Sequence, residues 1–250
     1  MRSFRLAVAA LVLCVGSYAG ISRAESTPLV KNTYKSVALL YAQTEDGGQR
    51  MYCTATAFEK VADGYLFATA AHCVANDDTQ HERVQVDKAP LYITFDEAGE
   101  KKFKRATLIA AGYQHRGDDF AILHVKTDEV WAVTPLGDEA KEDAGAEIVN
   151  VASPQGLGRQ VFHGWITMLK IDRPIRQSDI NWTNAMLLQV ESGPGSSGSA
   201  IVSVVQGAII GFLVGHYEQN IFAVPVSQFK AFRAAVTAGK YKWYVPEETK

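Results

Sequence analysis

The stretch that decides how this chain reads is ESGPGSSGSAIV, Glu191 to Val202. From Ser192 to Ser199 every residue is Gly, Ser or Pro, the composition of a flexible linker. Yet the apolar run Ala200-Ile201-Val202 follows at once, and a spacer has no reason to abut a core strand. The other reading is a shaped loop around one serine. Ser197 sits between glycines at 195 and 198, where small residues allow a tight turn and let backbone approach a ligand closely. The N–H groups of Gly195 and Ser197 would then point at one spot, an arrangement that stabilises the oxyanion of acyl transfer. Alone, a Gly–Ser cluster is as readily a plain loop, so the reading needs partners elsewhere in the chain.

A serine hydroxyl is a weak nucleophile near neutral pH and needs a base. FATAAHCV, Phe67 to Val74, places His72 at the end of an apolar strand, beside Cys73. GDDFAIL, Gly117 to Leu123, places Asp119 directly before another, with Asp118 as its solvated neighbour. Singly, His72 reads as a half-buried strand-end histidine and Asp119 as a turn residue or strand cap. In the order His, Asp, Ser they supply base, orienting carboxylate and nucleophile. Apart from His216, the other histidines, His81, His115, His124 and His163, read as residues of loops or strand ends.

Around these motifs the chain is ordinary in balance: 250 residues, 47% hydrophobic, 21% charged, formal net charge −2. That supports one or two globular domains and carries no electrostatic footprint for nucleic acid. The beginning differs. Arg2 and Arg5 precede an apolar run from Leu6 to Val15, and Ser22-Arg23-Ala24 fits a small-x-small cleavage site. This predicts a secretory signal peptide over 1–24, cut after Ala24. Its apolar core is too short to span a bilayer, so no stable membrane span is expected after cleavage. The protein would then be secreted or periplasmic. Cys14 would leave with the signal, and an even pair, Cys53 and Cys73, would enter an oxidising compartment, which favours a disulfide.

Before residue 226, short runs rich in Val, Ile, Thr, Tyr and Phe alternate with Gly, Asp, Asn and Pro. Examples are SVALLYAQ, RMYCTATAF, FAILHV and GAIIGFLVG, with EDGGQ as a hairpin turn between the first two. Such spacing predicts an all-β sandwich or closed barrels. GDEAKEDAG, Gly137 to Gly145, is polar and reads as the joint between two β halves. After Pro225, SQFKAFRAAVTAG has helical spacing, with Ser227 as expected N-cap and Gly239 as stop.

These residues resemble the chymotrypsin-like (trypsin-like) serine proteases. TAAHC around His72, the Asp119-Phe120-Ala121-Ile122-Leu123 segment, and Gly195-Ser196-Ser197-Gly198 match that family's three signatures in order. The resemblance implies two six-stranded antiparallel β-barrels and a C-terminal helix. The halves would be 25–137, carrying His72 and Asp119, and 138–225, carrying Ser197, with helix and tail in 226–250. It implies a Cys53–Cys73 bridge that clamps the histidine loop. It implies an endopeptidase acting on proteins or peptides through an acyl-enzyme, with no cofactor and no metal. ASPQGLGRQVFHGWI and IFAVPVS look like the bacterial exported branch, which includes periplasmic heat-shock-type proteases and glutamyl endopeptidases. A PDZ domain of the heat-shock type is not expected.

Two departures matter. Animal digestive members carry an Asp before the nucleophile that pairs with a new N-terminus; here Ser196 stands there, and the expected mature start ESTPLV lacks Ile-Val-Gly-Gly. That activation switch is therefore expected to be absent. Ser199 replaces a common Gly, as in the glutamyl endopeptidases. Specificity is less legible. Glu191 lies where trypsin-like members hold an acidic pocket residue that selects Lys or Arg, and it equally reads as a solvent-facing strand end. Leu213 falls at the offset where glutamyl endopeptidases have a pocket His, and Gly215 and His216 follow it. Two further readings compete: a chymotrypsin-fold binding protein without turnover, and a β-sandwich binding module with coincidental motifs.

Overall fold

The computed structural model describes residues 27–241 apart from 45, 79–82, 87–88, 98, 113–116, 172–175, 178–179, 182–183 and 218. The expected signal peptide, His81 and His115 lie outside the described residues. Among the described residues there are sixteen strands, most of them the short β-branched and aromatic runs: β1 Val37–Gln43, β2 Gln49–Val61, β3 Gly64–Thr69, β4 Ala75–Asp78, β5 Arg83–Val86, β6 Leu91–Thr94, β7 Lys104–Ala111 and β8 Ala121–Lys126 precede β9 Glu147–Ala152, β10 Gln160–Met168, β11 Arg176–Gln177, β12 Ile180–Asn181, β13 Met186–Gln189, β14 Ala200–Ser203, β15 Ala208–Tyr217 and β16 Asn220–Pro225.

Twelve of them close into two antiparallel barrels, β1-β2-β3-β8-β7-β6 and β10-β13-β16-β15-β14-β9. The two-barrel expectation therefore holds. Closure leaves neither barrel with an open strand edge, which an isolated sheet of this length would expose to aggregation. The Asp46-Gly47-Gly48 part of EDGGQ lies in the turn between β1 and β2: the Gly47 N–H donates to Thr44 O and Thr44 N–H to Gly48 O, both at 2.9 Å. The polar 137–145 segment lies in the connection between the barrels. There the Asp138 side chain caps a short 3-10 turn, Glu139–Lys141.

Among the described residues two α-helices lie outside the barrels. Helix α1, Pro28–Ser36, was not expected from the sequence. Its start is nevertheless a regular one: Thr27 caps it by accepting the Val30 N–H, and Pro28 occupies the first turn. Helix α2, Val226–Thr237, corrects the expected cap. Pro225 is its N-cap, with no side-chain cap bond, and Ser227 lies inside the first turn. The Ser227 N–H is satisfied by Glu139 Oε2 at 3.1 Å instead. Proline suits that boundary because its fixed φ is extended-compatible while β16 ends there. The C-terminal stop is as expected. Gly239 has φ +66°, and the Gly239 and Lys240 N–H groups donate back to Val236 O and Ala235 O.

Helix α2 joins the barrels through aromatic contacts. Phe229 meets Phe58 of β2 at 5.2 Å, Phe212 of β15 at 4.8 Å and Phe120, next to Asp119, at 5.6 Å between ring centroids. Burial of such rings is a main source of stability, worth about 1.5–3 kcal/mol each. Cys53 of β2 and Cys73 are bridged, as expected, with a sequence separation of 20. Closing a loop of that size stabilises by about 3 kcal/mol on the chain-entropy picture.

Candidate active site

The sequence candidates His72, Asp119 and Ser197 lie where the two barrels meet. His72 sits in a single 3-10 turn, Ala71–Cys73, at the exit of β3. Cys73, the next residue, is pinned to β2 by the disulfide. Asp119 lies two residues before the start of β8, with Phe120 between, and its side chain is 1% exposed. It holds His72 twice: Oδ2 lies 2.7 Å from the ring Nδ1, and Oδ1 accepts the His72 backbone N–H at 3.0 Å. Asp119, not Asp118, is thus the carboxylate at the histidine. A carboxylate only accepts, so in this contact Nδ1 is the donor.

The Ser197 loop is fixed by its backbone. Ser196, Gly198 and Ser199 N–H groups donate to Gly193 O, Leu213 O and Ser196 O at 2.9, 2.7 and 3.1 Å. The Gly195 and Ser197 N–H groups donate to no protein acceptor among the described residues. The carbonyls of those same two peptides are both held. Pro194 O accepts Gln155 N–H at 2.6 Å, and Ser196 O accepts Ser199 N–H. In a trans peptide the N–H points opposite its carbonyl. Holding the two carbonyls therefore fixes the direction of the two uncommitted N–H groups, each opposite to the donor that holds its carbonyl. Glycine is required at 195, which has φ +99°, because a Cβ there would sit 2.5 Å from Ser153 O.

Thr54, fully buried on β2, connects the loop to the histidine side. Its N–H donates to Ser197 O at 3.0 Å, and its hydroxyl donates to Gly195 O at 2.8 Å while accepting the Ser153 N–H at 3.1 Å. Gly198 closes the contact. A Cβ there would lie 2.5 Å from Thr54 O and 2.6 Å from the Ala70 N–H nitrogen, two residues before His72. From the second barrel, Asn150 Nδ2 donates to Ser199 Oγ at 2.8 Å and to Ala200 O at 2.9 Å. An open cleft of about 560 Å³, bordered by Met51, Gln155 and Gly195, offers room for a chain beside the loop.

The other sequence candidates lie as follows. Glu191 is exposed and has no ion-pair partner among the described residues. The Leu213 side chain is buried in the core of the second barrel, while its backbone brackets Gly198 and Ser199. Gly215 is half-buried and His216 exposed on β15, beyond a bulge between Leu213 and Gly215. Cys53, His72 and Cys73 bring three metal-type donors within 4.8 Å, but both sulfurs are committed to the disulfide. Ser196, in the position of the absent acid, is fully buried and its Oγ accepts Gly193 N–H at 3.2 Å. The roles of Thr54, Ser153 and Gln155 had no sequence signal, since each bond joins segments remote in the chain.

Two closed antiparallel barrels with a buried Asp119 bonded to His72 on one and a glycine-flanked serine loop on the other define a chymotrypsin-like hydrolase architecture. Residues 53–212 match the family described as the trypsin-like peptidase domain, and the chain belongs to that family of serine proteases. No curated protein matches the chain significantly.

The bridging hydroxyl of Thr54 generates a prediction. Thr54→Val keeps the shape but leaves Gly195 O and the Ser153 N–H without their partner, which should cost about 1–3 kcal/mol of stability. Thr54→Ser should retain most of it. Urea unfolding of the three proteins checks this, and equal midpoints for wild type and the valine variant would contradict the bridge.

Proposed function

We propose that the chain is an exported serine endopeptidase with Ser197 as nucleophile, His72 as general base and Asp119 as the group that orients it. Ser197 Oγ attacks the carbonyl carbon of a peptide bond while His72 Nε2 takes the hydroxyl proton. The Gly195 and Ser197 N–H groups stabilise the oxyanion that forms. Collapse breaks the C–N bond, and the proton passes from His72 to the departing amine. Water, deprotonated by His72, then cleaves the acyl-enzyme and restores Ser197. Asp119 holds the imidazole tautomer and steadies the imidazolium. The observation that carries this reading is the pair of uncommitted N–H groups at Gly195 and Ser197, on a loop packed two residues from the Asp119-held histidine.

Substrates are proteins or peptides. Export after cleavage at Ala24 is supported by the Cys53–Cys73 bond, a feature of oxidising compartments. Among the described residues no helix is long and apolar enough to cross a membrane. Ser196 supports activity without an N-terminal salt-bridge switch. Its hydroxyl is satisfied within its own loop, so no new amino terminus is needed there.

A fluorophosphonate should label the protein once per chain, at Ser197, and Ser197→Ala should abolish labelling, as read by mass spectrometry of the digest. Equal labelling of the alanine variant refutes the assignment. No labelling of the wild type would favour a binding protein without turnover.

Cleavage after basic side chains is the specificity that Glu191 would confer. Its unpaired carboxylate is available for a Lys or Arg of the substrate, the latter through two hydrogen bonds. Glu191→Gln should then lower kcat/KM for basic peptides by about 10- to 1000-fold and leave small apolar ones nearly unchanged. An equal, slight response from both classes would show that Glu191 faces solvent throughout.

A further inference from the structure

The turn Pro154–Gly156 braces the Ser197 loop, and it is strained. Gln155 has φ 56°, a left-handed conformation that is unfavourable for a side chain with a Cβ and must be held by its surroundings. From there its N–H reaches Pro194 O at 2.6 Å and orients the Pro194–Gly195 peptide. One side of the turn is held by Thr54 through Ser153. The other side leads within three residues to Arg159.

Arg159 is the most heavily committed cation among the described residues. Its side chain is only 10% exposed. Nε donates to Glu97 Oε1 at 2.7 Å, Nη1 to Tyr34 O and Val37 O at 3.0 Å each, and Nη2 to Phe95 O at 2.8 Å. Its backbone N–H also donates to Glu97 Oε1, at 3.1 Å. The guanidinium stacks 4.3 Å from the Tyr34 ring centre, and the Tyr34 hydroxyl donates to that same Glu97 oxygen at 2.5 Å. Burial pushes the Glu97 carboxyl up, but the bonds from Tyr34 and Arg159 outweigh it and hold the group below its ordinary value. Every partner of Arg159 here comes from α1, β1 or the segment after β6. The clamp therefore fastens the exit of the second-barrel turn to the first barrel and to the N-terminal helix.

We propose that the Tyr34–Glu97–Arg159 clamp is a positioning device for the oxyanion site. By holding the 154–156 turn it keeps Gln155 left-handed, and Gln155, through its bond to Pro194 O, fixes the direction of the Gly195 N–H. Helix α1 is thereby part of the machinery that makes the site competent, although it touches no reacting atom. The inference rests on the reading of Ser197 as nucleophile. Glycine at 195 explains why a brace is needed: with no Cβ, the Pro194–Gly195 peptide can flip and turn its carbonyl into the site. A flipped peptide would leave His72 and Ser197 in place but remove one of two oxyanion donors.

Two readouts on the full-length protein test this. Arg159→Lys keeps the charge but cannot serve Glu97, Tyr34 O, Val37 O and Phe95 O together. In a Ser197→Ala background, where catalysis plays no part, amide exchange of Gln155 should quicken by about tenfold or more while amides of β9 and β14 stay protected. In the active protein, kcat on a peptide substrate should fall by about 10- to 100-fold, approaching the loss of one oxyanion donor, with KM within about twofold. Tyr34→Phe, a milder change that removes one bond to Glu97, should shift both readouts the same way by a smaller amount, and it serves if the lysine variant does not fold. Unchanged Gln155 exchange in the variants overturns the clamp. Faster exchange with unchanged kcat overturns its role at the oxyanion site. Faster exchange in a protein whose wild type shows no Ser197-dependent hydrolysis supports the clamp and faults the assignment of Ser197 alone.

Discussion

The hydroxyl and N–H of Thr54 are the constraint on which the rest of the site depends. A histidine on one barrel and a serine on another are useful together only if the barrels meet at a fixed distance. Thr54 sits one residue from Cys53, which is bonded to Cys73 beside His72. It also holds Gly195 O, Ser197 O and the Ser153 N–H. One residue of β2 thus faces the histidine turn through its neighbour and the serine loop through its own atoms. These bonds are buried, and leaving either partner unmatched would cost more than making the bond gains. The pairing is therefore specific as well as stabilising.

Strain is concentrated on the serine side of this seam. Gly195 and Gly198 take positive φ values where a Cβ would collide with Ser153 O or with Thr54 O. Gln155 takes one despite its side chain. The surrounding barrels over-determine these conformations: Thr54 and the disulfide from one side, Leu213 and Asn150 from the other, the aromatic cluster of α2 behind Asp119. This division of labour suits preorganisation. Regular strands supply rigidity, and short irregular segments between them place the N–H groups.

Much of this was legible in the sequence because its signals are local. The strand rhythm, the Asp46–Gly47 turn, the Gly239 stop and the three motifs around His72, Asp119 and Ser197 each show within a few residues. The pairing of Cys53 with Cys73, 20 residues apart, is not local but follows from the cysteine count once export is assumed. Helix α1 was missed because its only local marks are Thr27 and Pro28, and its face is stabilised by Val149 and Val151, far along the chain. Serine is a good cap, so Ser227 attracts that expectation, while the end of β16 sets the boundary at Pro225. Thr54, Gln155 and Arg159 carried no signal at all. A threonine in a strand and an arginine before one are ordinary until remote carbonyls converge on them. Glu191 shows the converse limit: its offset from Ser197 was readable, whereas the direction its side chain faces was not.

The central claim is that Ser197, aided by His72, forms a covalent acyl intermediate at this seam. Rapid acid quench of the protein with a slowly hydrolysed activated ester, followed by intact-mass and peptide mapping, tests it most directly. The account predicts a single acyl group on the peptide bearing Ser197, accumulating before steady turnover and absent in His72→Ala. Steady hydrolysis with no acylated chain, or acylation at another residue, would contradict it.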